Sequence, residues 1–241
     1  MDNKKLIAGF GYQEGRISSW DGKRTYTQAV PQMAKHCCDN GVDEILVYDW
    51  SVTDEDHEAA IAVIKEVCRE ADAPVIAGGR VKRMEDVKKY LYAGASAVFL
   101  DMSKEENTDM IKEASGRFGK EKIYAYLPTD EYIDSVKDYE AAGASVMLLN
   151  TAGSVPSLLE MASISDSEAS FLFFLQAKDD AKDTAESLKN AFGCGNICGA
   201  VLTFTEDNMD SSMTIKQSLK TAGISVDTFE SSVDWKDFKL N

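Results

Sequence analysis

Apolar positions along the chain fall into two alternating textures. Short, nearly continuous runs rich in β-branched and aromatic residues occupy 5–10, 44–49, 74–77, 97–101, 122–127, 145–149, 171–176 and 199–204. Runs that are apolar on successive residues, rather than on every second one, suit strands covered on both faces. Between them lie longer stretches with apolar residues at helical spacing, over 55–71, 84–93, 106–118, 130–142, 181–192 and 208–222. The first of these opens with Thr53-Asp54-Glu55-Asp56, in which Thr53 can cap and Asp56 can reach back. Gly94, Gly119, Gly143, Gly193 and Gly223 follow five of them, where a left-handed helix stop is expected. The serine-rich segment 157–165 predicts the weakest helix.

Strict strand–helix alternation implies crossover connections and a parallel sheet. Eight such units predict a single closed (βα)8 barrel of the α/β class. A half-barrel repeat supports it: Gly41-Val42-Asp43, Gly94-Ala95-Ser96 and Gly143-Ala144-Ser145 each precede an even-numbered strand. Gly199-Ala200 is a further near-copy. We divide the chain into a barrel over 1–226 and a tail over 227–241.

Composition narrows the function classes. With 26 Lys+Arg against 41 Asp+Glu in 241 residues the formal charge is −15, which argues against nucleic-acid and anionic-membrane partners, since both reward a basic face. The charge leaves self-association into a homo-oligomer open. No apolar run approaches the roughly 20 residues that span a bilayer, and Leu6 to Phe10 is too short for a signal peptide. Five cysteines, two adjacent at Cys37 and Cys38, do not make a disulfide framework. A cytoplasmic, reduced protein is expected.

In such a barrel the chemistry sits at the C-terminal strand ends. The third strand leads into Gly78-Gly79-Arg80, with Lys82 and Arg83 nearby. A glycine pair there lets backbone N–H groups approach an anion, and it also suits a plain tight turn. Candidate phosphate-binding residues are Gly78, Gly79, Arg80 and, after the fourth strand, Ser103. Gly9-Phe10-Gly11 with Gly15 has the wrong spacing for a dinucleotide fingerprint, and residues 16–24 are turn-like where a helix should open. His36 and His57, both in helical segments, lack partners at ligand spacing and are expected to be solvated or half-buried. Cys194 and Cys198 form a CxxxC without a second ligand pair. No metal and no cofactor are expected in this domain.

Lys5-Leu-Ile-Ala, Gly15-Arg16-Ile17, Gly41-Val-Asp-Glu-Ile-Leu-Val-Tyr-Asp49, Pro74-Val-Ile-Ala-Gly-Gly79, Glu85-Asp86-Val87, Leu91-Tyr-Ala-Gly-Ala95, Arg117-Phe118-Gly119 and Ala142-Gly143-Ala144 together resemble the histidine-biosynthesis barrels. These are the phosphoribosylformimino-aminoimidazole-carboxamide ribotide isomerase and the cyclase subunit of imidazole glycerol phosphate synthase. The resemblance is collinear from about residue 4 to 150 and weaker beyond. It implies a phosphorylated ribotide, or phosphate or sulfate in its place, as ligand. It also implies a pair of aspartates at the ends of the first and fifth strands, which deliver and remove protons.

The departures point the other way. The matching positions are Gly11 and Pro128, neither of which transfers a proton. Ser19 and Gly153 stand where the family carries a lysine and an acid. Asp49, Asp101 and Asp130 are the weak substitutes, each equally suited to capping or ion pairing. Arg80 replaces a third glycine of the first phosphate site, with Asp101 expected to pair with it, and 176–180 lacks the glycines of the second site. Strand parity places Gly9 and Gly11 opposite Tyr124 and Tyr126, so Tyr126 is expected to fill volume a substrate would need. Residues 229–241, ending Trp235-Lys-Asp-Phe-Lys-Leu-Asn241, resemble the junction to a phosphoribosyl-AMP cyclohydrolase and phosphoribosyl-ATP pyrophosphatase. The resemblance therefore implies a degenerate barrel fused to hydrolase domains of histidine biosynthesis, with an active isomerase or cyclase using replacement carboxylates as the alternative. A sugar-phosphate aldolase, epimerase or lyase is a third class, weakened because no strand interior carries a Schiff-base lysine.

Overall fold

The computed structural model describes residues 3–18, 20, 29–152, 155–157, 164, 166–204 and 208–228. Among the described residues nine strands form one sheet: β1 (Lys5–Gln13), β2 (Arg16–Ser18), β3 (Glu44–Asp49), β4 (Val75–Gly78), β5 (Ala97–Asp101), β6 (Ile123–Leu127), β7 (Val146–Leu149), β8 (Ser170–Gln176) and β9 (Ile197–Thr203). Around them lie α1 (Val30–Asp39), α2 (Asp54–Glu70), α3 (Met84–Ala93), α4 (Glu106–Phe118), α5 (Val136–Ala142), α6 (Ala181–Ala191) and α7 (Ser212–Thr221). Strands β1 and β3 to β9 pair in parallel in sequence order, and β9 pairs back onto β1, so the eight-stranded barrel closes.

Alternation along the strands sorts two cores. On β3, Ile45 and Val47 face the helices while Leu46 and Tyr48 face the lumen; on β5, Val98 and Leu100 face out while Phe99 faces in. Both sets are apolar, which is why the strands read as continuous runs instead of alternating ones.

The departures from expectation are local. Residues 16–18, expected as a turn, form β2, antiparallel to the end of β1 through a two-residue loop in which Glu14 and Gly15 both have positive φ, 48° and 80°. That loop geometry matches the strand twist and needs a residue tolerant of left-handed backbone, here Gly15. The expected helix over 130–142 divides into a 3₁₀ turn (Asp130–Ser135) followed by α5; Asp and Ser are residue types that favour turns over helix interiors. Gly193 is not a left-handed stop, since α6 ends two residues earlier with Phe192 still in right-handed backbone. Gly199 lies inside β9, where a Cβ would come within 2.6 Å of the Lys5 carbonyl oxygen. It serves close strand approach rather than the helix-end role of Gly94 and Gly143, so it is no fourth copy of the repeat.

Burial sets an alkaline limit on this fold. It pushes the Cys37 thiol on α1 up to about 12 from an ordinary 9.0, and it raises the phenols of Tyr48 and Tyr90 as well. Groups held neutral in the folded chain but free to ionise when unfolded contribute stability below the unfolded value and lose it as pH rises toward the folded one. The urea midpoint is therefore expected to be flat to about pH 9 and to fall above it. Cys37→Ala should flatten the first part of that fall, and an unchanged slope would show that Cys37 is not responsible.

Candidate functional site

The C-terminal strand ends form the barrel mouth. Gly11 is buried near the end of β1, paired with Tyr48 of β3 on one side and Ser18 of β2 on the other. Pro128 follows β6 and is half-buried. At the two positions that the resemblance assigns to proton transfer, the chain thus presents a hydrogen and a pyrrolidine ring.

The lumen beneath is filled with rings. Tyr126 points inward and is 3% exposed, and burial raises its phenol above the ordinary value. Its hydroxyl accepts from Asn150 Nδ2 at 3.1 Å and from Trp20 Nε1 at 3.3 Å. Trp20, absent from the sequence-based site, comes from the connection after β2 and sits among Tyr48, Phe99, Tyr126 and Phe174. Gly9 is required by Val201, whose Cγ1 would lie 2.6 Å from a Cβ there, while the Trp20 ring at 3.6 Å would be in ordinary contact. Trp50 stacks on Tyr48 at 4.0 Å and donates from Nε1 to the Trp20 carbonyl. The tryptophan in a turn segment was the available signal; its partners come from four strands, which no local pattern reveals.

The three aspartates have separate surroundings. Asp49, 1% exposed, accepts on Oδ2 from His57 Nδ1 at 2.7 Å and from the Tyr90 hydroxyl at 2.8 Å, and on Oδ1 from the Ser51 N–H at 2.9 Å. Asp86 lies 3.7 Å beyond, from His57 Nε2, and accepts the N–H groups of Lys82 and Arg83. The expectation of a solvated or half-buried His57 is overturned, for it is 1% exposed. With Ala60, Ile64 and Val67 it forms the buried face of α2, a spacing the sequence displays. A group sealed to this degree clamps β3 to α2 and α3 and offers substrate no approach. Burial, then the neighbouring Asp49 charge, holds the Tyr90 phenol well above its ordinary range.

Asp101 accepts from the Tyr48 hydroxyl at 3.3 Å and from the Ser103 N–H at 3.0 Å. The expected pairing with Arg80 is not found: the guanidinium runs to the β3–α2 connection, where it pairs with Asp54 and reaches the Val52 carbonyl. Asp54 is the nearer carboxylate because it heads α2, and Arg80 holds its carboxyl below the ordinary value. Asp130 is exposed at the start of its 3₁₀ turn.

Gly78 and Gly79 are both demanded by packing. A Cβ at Gly78 would fall 2.2 Å from the Phe99 carbonyl oxygen, and at Gly79, with φ +105°, 2.5 Å from the Tyr48 ring. Lys104 Nζ donates to the Gly79 carbonyl at 3.4 Å, and Arg80 Nε has no partner among the described residues. Ser103 is exposed beside this turn. After β8, the Lys178 N–H is taken by Thr184 and the Lys182 N–H by Asp180, so that segment caps its own helix. His36 contacts Asp210 at the surface. Among the described residues no three His, Cys, Asp or Glu side chains are placed to hold a metal, and no helix is long and apolar enough to cross a membrane. Ser19, Gly153, the segment 205–206 and the tail 229–241 lie outside the described residues, as does most of 157–165.

A closed parallel α/β barrel with a glycine-pair turn after its third parallel strand is the class defined by these observations. Residues 14–136, half of the chain, match the model of the histidine biosynthesis protein family, and the chain belongs to that family. It is similar to the imidazole glycerol phosphate synthase subunit HisF of Staphylococcus aureus, with 29% identity over 137 residues in strains Newman, COL and MRSA252. That alignment covers 56% of this chain and 53% of each relative, so the chain spans about half the length of the curated relatives it matches.

Proposed function

We propose that this chain is a non-catalytic barrel of histidine biosynthesis, a scaffold or phosphoribosyl-metabolite-binding domain working beside phosphoribosyl-AMP cyclohydrolase and phosphoribosyl-ATP pyrophosphatase in the cytoplasm. The observation that carries it is the filled mouth: Trp20 occupies the lumen between Tyr48, Phe99, Tyr126 and Phe174 at 7% exposure. Gly11 and Pro128 at the positions of the opposed carboxylates support it further, because general acid–base chemistry on a ribotide needs two groups within hydrogen-bond reach of the reacting atoms. The hydrolase context rests on the likeness of residues 229–241 to a cyclohydrolase junction.

The test is an assay of the purified chain for ribotide isomerase and ammonia-dependent cyclase turnover, with complementation of the two auxotrophs. No turnover and no growth are expected. Turnover that Asp101→Asn or Asp130→Asn abolishes would establish the replacement-carboxylate enzyme instead. Asp49 is unsuited to that test, since its loss would act through the fold. Metabolite binding is read on the same preparation by calorimetry with ribose 5-phosphate, and Lys104→Met is the control that leaves Gly79 intact.

A further inference from the structure

The barrel closes where its last helix meets its first. α1 packs on α2 and α7 on α6, and across the seam α1 touches the 3₁₀ turn (Met209–Ser211) that leads into α7. Three residues at helical spacing face the seam from the α7 side: Asp210, Met213 and Lys216. Asp210 contacts His36 at the surface. Met213 lies over Gly41, where φ is +92° and a Cβ would come within 2.7 Å of its Cε. Lys216 is fully buried and extends its ammonium to Asp43 Oδ1 at 2.5 Å.

The apolar face of α7 is too short and too repetitive to fix its own seat. The helix buries Ser212, Ile215, Lys216 and Leu219, so two large aliphatic side chains point inward, one turn apart. A shift by one turn moves the helix about 5.4 Å along its axis. In one direction Ser211 and Ser212 take the seats of Ile215 and Lys216, and Asp43 loses its cation. In the other, Leu219 and Lys220 take those seats, and Lys216 arrives at the buried seat of Ser212, whose hydroxyl has no partner among the described residues. Either shift strands a buried charge, a far heavier penalty than a misplaced methyl group.

The repeat shows how Asp43 comes to serve this seam. At the matching positions of the other two copies stand Ser96 and Ser145, whose hydroxyls donate to the Val75 and Lys120 carbonyls at 2.9 Å. Asp43 also bonds the backbone of the preceding unit, accepting the Leu6 N–H on Oδ2 at 2.8 Å. Its second oxygen then faces Lys216, which a serine could not do while holding the first bond.

We propose that the Asp43–Lys216 pair is the register key of barrel closure: it specifies the seat of α7 against the α1–β3 connection, and it supplies uniqueness more than stability. A buried ion pair gains little over an apolar pair of similar volume, yet a misplaced member is heavily penalised, and that asymmetry selects one arrangement among near-equals. The inference goes beyond the proposed function and stands whether or not the chain turns over a substrate.

The test compares the full-length chain with Lys216→Met and with Asp43→Asn/Lys216→Met. Asparagine keeps an acceptor for Leu6, and methionine keeps an unbranched side chain at 216. Stability is read by urea unfolding. Register is read as the distance between nitroxides on ketone-bearing residues placed at exposed Glu66 of α2 and exposed Gln217 of α7. Lys216→Met is expected to lower the urea midpoint, because Asp43 is left without its cation. The double variant is expected to regain most of that loss but to show a second distance beside the single one of the unaltered chain. One unchanged distance in the double variant overturns the proposal. So does a double variant as unstable as the single one, since the pair would then supply stability itself. Should Lys216→Met not fold, Lys216→Gln is measured in its place, alone and with Asp43→Asn, and the same two results decide.

Discussion

Asp49→Ala is expected to destabilise the barrel by about 3–5 kcal/mol, lowering the melting temperature by on the order of 10 °C. The carboxylate is the shared acceptor for the His57 imidazole, the Tyr90 hydroxyl and the Ser51 N–H, all in a region without water access. Alanine leaves the His57 and Ser51 donors unpaired and the Tyr90 hydroxyl with only the Arg80 carbonyl at 3.5 Å, and each buried donor so lost costs about 1–3 kcal/mol, partly recovered as the site relaxes. Asp49→Asn separates the acceptor role from the packing role. Its amide oxygen can still take His57 and Tyr90 on one side, but its NH2 then faces the Ser51 N–H, for an expected loss of only about 1–2 kcal/mol. Urea unfolding of both variants checks the order. Equal losses would mean that volume, not hydrogen bonding, is what Asp49 supplies.

That cluster also shows where sequence reading reached its limit. The eight strands were legible because a barrel covers both strand faces with apolar groups, leaving unbroken runs such as Phe171 to Leu175 on β8. Helix α2 announced itself through Thr53, which accepts the Asp56 N–H at 3.1 Å as its capping signal implied. His57 is buried rather than solvated, and its spacing to Ala60, Ile64 and Val67 puts it on the buried face of α2. A histidine there is costly without acceptors, and its acceptors sit on β3 and α3, which only the closed fold brings together. Strand parity did reveal that Tyr126 points inward. It could not reveal Trp20, because its ring partners lie on four strands that only the closed barrel brings together.

The glycine pair at the end of β4 illustrates the difference between a motif and the reason for it. A Gly-Gly turn near arginine and lysines reads as an anion cradle, yet each hydrogen is already required by a neighbour: Phe99 at Gly78, Tyr48 and the Asp49 carbonyl at Gly79. Backbone oxygens of Phe99 and Asp49, together with the Phe99 and Tyr48 rings, therefore impose the glycines, and the pair would be needed even if no anion ever bound.

This dependence yields a contrast between two glycines. Gly78→Ala places a methyl group 2.2 Å from a backbone oxygen and 2.8 Å from the Phe99 ring, inside a strand paired on both sides. Backbone cannot yield as a side chain can, so the expected loss lies at or beyond the upper end of the about 1–3 kcal/mol typical of overpacking. Gly116→Ala, on the exposed face of α4 with nothing within 4 Å of the new methyl, is expected to gain about 0.5–1 kcal/mol through helix propensity and a less flexible unfolded chain. Denaturant midpoints of the two variants measured side by side decide it. A tolerated Gly78→Ala would mean that β4 and β5 can part without cost at Phe99, and close strand approach could then no longer be held responsible for Gly78.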